Sequence, residues 1–165
     1  MVHISELDAG NWPLLKQIRV LSVGDSPDAF GTTISEVNVQ SDSYWADLAR
    51  YLDRKLQTLF VATDDDEVPI GSTYVRVGDD MVGHVGSMWV APLHRGKGLG
   101  RELLECGLGW LEARGVSTMQ LWVTDGNDIA FGLYRASGFK ATGVRAKLRE
   151  GSELDRIQME RRLDA

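Results

Sequence analysis

The chain has 165 residues, 43% of them hydrophobic and 25% charged, enough for one domain to bury roughly two-thirds of its unfolded surface. It holds no 18-residue apolar run and no low-complexity tract, so it reads as a soluble globular protein with no membrane partner, neither disordered nor membrane-spanning. A formal net charge of −6 argues against a nucleic-acid partner, although residues 1–83 carry 14 acids and 6 bases while residues 84–165 carry 10 acids and 12 bases.

The N-terminus, Met1 to Glu6, lacks the basic and apolar segments of a secretory signal, so the expected location is cytoplasmic. Val2–Leu7 reads as a strand. Asn11 then caps a helix with Pro13 in its first turn and Leu14, Leu15, Ile18 and Leu21 at helical spacing. Residues 24–28 break the chain, and Ser41 or Ser43 opens a second helix carrying Tyr44, Trp45, Leu48, Tyr51 and Leu52. Leu59–Ala62 and Ile70–Val77 read as strands around the acidic turn Asp64–Pro69, which lacks the ligand spacing of a cation loop, so no metal is expected. Met81–Val90 is a long fourth strand ended by Pro92.

Leu99, Leu103, Cys106 and Trp110 recur at i, i+4, i+7 and i+11, the buried stripe of a helix that stops at Gly115. Cys106 is the only cysteine, so no internal disulfide forms, in keeping with a reducing compartment. Gly107 and Gly109, each costing about 1 kcal/mol relative to alanine in a helix interior, are expected to permit close packing on a sheet. Thr118–Val123 is a fifth strand, Asn127–Ala136 a helix, and Phe139–Leu148 with Leu154–Glu160 a closing antiparallel pair. The expected order is βααβββαβαββ: one α/β domain over residues 1–165, a mixed sheet covered by helices.

The junction between the fourth strand and the next helix carries the strongest chemical signal. Glycines 96, 98 and 100 let backbone N–H groups converge, and the following helix offers unpaired N–H groups at the positive end of its dipole. Arg95, Lys97 and Arg101 add positive charge, so the segment is suited to a phosphate. Its glycine spacing matches neither G-x-G-x-x-G nor a Walker loop.

Arg95 to Gly100 reads R-x-x-G-x-G after a strand and resembles the acyl-CoA pyrophosphate loop of the GNAT N-acetyltransferases. A second, independent match follows. Asn127 to Phe139 fits N-x-x-A-x-x-L-Y-x-x-x-G-F, similar to a later helix of that family and its exit into the next strand. The resemblance runs from about Gly83 to Phe139, and Asp25–Gly31 looks like a segment of stand-alone bacterial members.

The resemblance implies a mostly antiparallel sheet whose central strands splay apart around acetyl-CoA, with direct attack of an acceptor amine on the thioester. It places Met88, Trp89 and Val90 along the pantetheine arm, and Arg95, Gly96, Lys97, Gly98, Leu99, Gly100 and Arg101 around the pyrophosphate. Val90 N–H would stabilise the developing oxyanion. Tyr134 would return a proton to the leaving thiolate, and Asn127 would contact the cofactor while capping its helix. His84, eleven residues before Arg95, is the expected general base and acceptor contact, with Glu36 and Asp125 as alternatives, and Phe30 is expected to line the acceptor pocket. Partners would be acetyl-CoA and an amine acceptor, small molecule or peptide, with a homodimer left open. A non-catalytic acyl-CoA sensor is the reading from a different class.

Overall fold

The computed structural model describes residues 1–52 and 54–163. Along the chain come β1 (His3–Glu6), α1 (Trp12–Asp25), α2 (Ile34–Asn38), α3 (Asp42–Tyr51), β2 (Gln57–Thr63), β3 (Pro69–Val77) and β4 (Val82–Val90). Then follow α4 (Leu99–Glu112), β5 (Thr118–Thr124), α5 (Asp128–Ala136), β6 (Lys140–Lys147) and β7 (Asp155–Arg162), with 3-10 turns at Pro27–Ala29 and Pro92–His94. The strands form one sheet in the order β1-β2-β3-β4-β5-β7-β6. Neighbours run antiparallel except β4 and β5, which are parallel.

The helix starts follow from their caps. Asn11 accepts a bond from Leu14 N at 3.3 Å to open α1, and Ser41 accepts one from Tyr44 N at 3.2 Å to open α3. The expected order lacks α2, whose five residues are too few to display a helical period. Its signal is a capping box: Thr33 Oγ1 accepts from Glu36 N, and the Glu36 carboxylate accepts from Thr33 N at 2.7 Å. In the acidic turn, the Asp64 carboxylate accepts from Asp66 N and Val68 N, which fixes the turn before β3.

Each face of the sheet has its own core. Leu104, Leu108 and Leu111 of α4 pack with Val75, Val85, Met119 and Leu121, while α1 and α3 set Leu15, Ile18, Trp45 and Ala49 against Leu59, Val61 and Trp89 on the other face. Each such side chain contributes about 1.5–3 kcal/mol relative to leaving it in water. Gly107 allows α4 its close approach, since a Cβ there would lie 2.8 Å from Val75 Cγ1. Gly109 does not share that role: a Cβ there would meet nothing within 4 Å. Cys106 is half-buried at the edge of the α4 stripe rather than inside it.

The site depends on how β4 and β5 part. Their ladder runs from Val82 opposite Thr118 to Val85 opposite Leu121 and stops, although β4 continues to Val90 and β5 to Thr124. The β3–β4 register shifts between Ser72 and Tyr74, and Ser87 holds φ at +49° in the left-handed region. A bulge of that kind bends its strand and raises the local twist. Ser72 Oγ donates to Ser87 O at 2.8 Å and holds the bulge, leaving a wedge between the two strands.

Candidate active site

The wedge opens into a cleft of about 830 Å³ lined by Met88–Val90, the loop from His94 to Arg101, Thr124–Asn127, and Ala130, Leu133 and Tyr134 of α5. Backbone register decides what β4 presents there. Ala91 N donates to Ile70 O at 2.8 Å, so Val90 and its partner Gly71 form a pair not bonded to each other. The N–H and C=O of Val90 therefore point away from β3 and into the wedge. Its carbonyl accepts a bond from Arg95 Nε at 2.8 Å, and its N–H has no protein acceptor among the described residues.

The loop after β4 is a cradle of open backbone. Gly96 and Gly98 hold φ at +72° and +89°, and a Cβ at either would meet nothing within 4 Å. Gly98 starts α4 without a side-chain cap, leaving the first N–H groups of that helix unclaimed by protein atoms among the described residues. Gly100 is more confined, with Leu133 Cδ2 and Val90 Cγ2 at 3.5 and 3.6 Å from an added Cβ. Arg101 faces the cleft while paired with Glu105 at 2.9 Å. Lys97 and Leu99 stand outside it: Lys97 Nζ donates to Leu93 O at 2.9 Å, and Leu99 is buried with Ala62, Ile70 and Leu103.

Arg95 is held by a partner that local sequence does not reveal. Its guanidinium pairs with Asp25, at the end of α1, as well as with Val90 O. Asp25 also accepts from Trp89 Nε1 at 2.9 Å and Ser26 Oγ at 2.7 Å. Burial alone would raise the Asp25 carboxyl, but the bonds from Trp89, Ser26 and Arg95 outweigh it and hold its pKa below the usual carboxylate range. One carboxylate thus joins α1, β4 and the glycine loop.

Across the wedge, Tyr134 is 5% exposed, stacks edge-on against Phe139, and has no hydrogen-bond partner for its hydroxyl among the described residues. Burial pushes its pKa up, so it stays a neutral O–H donor. Asn127 Oδ1 caps α5 by accepting from Ala130 N at 3.2 Å. Its amide NH₂ remains for a ligand, because Asn127 also lines the cleft.

Against this geometry stand two groups of comparisons. The model of the acetyltransferase (GNAT) family matches residues 26–139, more than half of the chain. The chain belongs to the GNAT acetyltransferase family. The mycothiol acetyltransferase of Beutenbergia cavernae is 31% identical over 122 residues, covering 73% of this chain and 38% of that protein. The chain spans about 35–40% of the length of such curated relatives. Among solved structures, nourseothricin acetyltransferase is 29% identical with a TM-score of 0.61, over 66% of each chain. YncA of Salmonella typhimurium, solved with its cofactor acetyl-CoA, shares the fold at 20% identity and a TM-score of 0.76, over 100% of this chain and 95% of its own.

The group held in the YncA structure is acetyl-CoA. The residues present fit that group: the open glycines and free helix N-terminus suit a pyrophosphate, and the Val90 N–H and Tyr134 O–H reach the cleft unspent. Acetyl-CoA, when bound, supplies the activated acetyl thioester.

The expected acceptor residues fall elsewhere. His84 lies in the paired part of β4, between Arg76 and Gln120, six residues and on the order of 20 Å along the strand from Val90. It lines neither the cleft nor the cavity beside α1–α3, and burial followed by the nearby Arg76 charge lowers its pKa. Phe30 is buried in the α1–α3 core beneath Arg19 and likewise lines neither. Asp125 reaches the cleft mouth but pairs with Arg145. Glu36 lines the α1–α3 cavity, its carboxylate bonded by Thr33 N and Thr32 Oγ1.

Proposed function

We propose that the protein transfers the acetyl group of acetyl-CoA to an amine of a small molecule or short peptide by direct attack, with no acetyl-enzyme intermediate. The observation that carries this reading is the Val90 N–H turned into the same wedge that Tyr134 of α5 lines. A fixed backbone donor at the carbonyl oxygen stabilises the charge that develops there, an effect worth about 10²–10³ in rate. The Tyr134 hydroxyl donates to the departing sulfur, and its raised pKa makes it a hydrogen-bond donor rather than a strong acid. Cys106, half-buried on α4 with its pKa raised by burial and by Glu102 and Glu105, is unsuited to carry the acetyl group.

Among the titratable side chains that line the cleft, Asp25 is paired with Arg95 and Asp125 with Arg145, and Asp28 and His94 line it as well. In this reading the acceptor amine loses its proton to water before it attacks. The cavity of about 350 Å³ beside α1–α3 has the size of a small-molecule site, which favours a small acceptor. Relatives are named for mycothiol and for nourseothricin, two different compounds, so neither name transfers to this chain. Thiol release from acetyl-CoA, measured across a panel of small amines and short peptides, tests the reading. Amine-dependent release supports it, whereas tight CoA binding without release from any amine supports an acyl-CoA sensor.

A further inference from the structure

The cavity beside α1–α3 has an apolar and aromatic wall that includes Tyr44, Trp45, Leu48 and Tyr74, and two charged side chains, Arg19 and Glu36. Glu36 is committed to the capping box of α2. Arg19 is not committed. Its guanidinium lies 5.3 Å from the centroid of the Phe30 ring and donates one bond, 3.2 Å long, to Ser87 Oγ. It forms no ion pair among the described residues, although a guanidinium carries five N–H donors. Burial pulls its pKa down, as expected for a cation taken from water without a matching anion.

The position of this cation gives it meaning. Ser87 is the bulge residue of β4, two residues past the end of its pairing with β5 and three before Val90. Arg19 thus reaches β4 at Ser87, which lines the cavity and is followed by Met88, which lines the wedge, about 10 Å along β4 from the Val90 donor. An acceptor that sends its amine toward the wedge leaves the rest of its body in the cavity, with any anionic group within reach of the fork of N–H donors.

Resting on the amine-transfer reading above, we infer that the acceptor is a small amine with an apolar body and a free carboxylate, the chemistry of an apolar amino acid or dipeptide, and that Arg19 binds that carboxylate. The fork geometry suits a two-bond contact with a planar carboxylate, which lysine reproduces only in charge. Tyr44, Trp45 and Leu48 provide the apolar contact.

The test is calorimetric titration of the CoA-saturated protein with two matched pairs: L-phenylalanine against L-phenylalaninamide, and glycyl-L-phenylalanine against its amide. At least one acid is expected to bind about tenfold or more tightly than its amide. Arg19→Gln should remove that difference and Arg19→Lys retain part of it, with CoA affinity unchanged in both. Equal affinity for acid and amide in the wild type overturns the inference, as does failure of all four to bind. Discrimination that persists in Arg19→Gln overturns it as well. The wild-type comparison stands even if a variant disturbs the Ser87 bulge. Thiol release measured with the same four compounds separates the two readings: discrimination without release counts against acetyl transfer and leaves the carboxylate site standing.

Discussion

Tyr134 and His84 show what single residues reveal in a sequence and what they conceal. Tyr134 was legible because its neighbours in one short motif lie on the same helix, so local spacing fixes where the hydroxyl goes. Replacing it with phenylalanine should lower kcat by about 10- to 1000-fold with little change in CoA affinity, as steady-state kinetics and calorimetry would show. His84 was expected to serve as base from its distance to Arg95 alone, and a strand position does not tell where its sheet divides. It lies within the paired stretch of β4, so His84→Ala should leave kcat/KM within about threefold. The pH profile tests this directly: it should rise only with the acceptor's own ionisation, and a limb near pH 6–7 lost in His84→Ala would return the base role to His84. Gly100 has a helical backbone, with ordinary contacts around an added Cβ, so Gly100→Glu should fold. Its carboxylate would enter the phosphate cradle, and CoA binding by calorimetry should fall below detection.

At the level of elements, β4, the glycine loop and α4 were read correctly because each has a local cause: an apolar run, positive-φ glycines and a periodic stripe. Two features escaped. The helix α2 was too short for periodicity, although its T-x-x-E box stood in the sequence. The tie from the end of α1 to the loop through Asp25, Arg95 and Trp89 joins residues more than 60 apart, which no local pattern reports. Its contribution depends on pH in a defined direction. The Asp25 pKa is depressed in the folded state, so its stabilisation is present above the unfolded value of about 3.9 and is lost as pH falls through the folded value. Asp25→Asn should therefore lower stability near neutral pH by about 1–2 kcal/mol. The gap in Tm from the wild type should close below about pH 4, and thermal melts across that range would reveal a constant gap if the tie owed nothing to the charge.

For the whole molecule, the sheet sets the wedge and the α1–α3 cavity along one strand, β4. The parallel pairing of β4 and β5 ends at Val85 and Leu121, and in the proposed reading the resulting wedge receives the donor between α5 and the glycine loop. On the α1–α3 side a separate cavity approaches the same strand at Ser87. The parting of β4 and β5 was readable once two motifs pointed to one family. The cavity proposed for the acceptor was not, since its lining comes from α1, α2, α3 and three strands that meet only after folding. Direct attack requires donor and acceptor to occupy these places together, and initial velocities measured while acetyl-CoA and the best amine are both varied test that most directly. The account predicts an intersecting, sequential pattern. Parallel lines, with a burst of free thiol when acetyl-CoA is mixed with the protein alone, would reveal an acetyl-enzyme and contradict it.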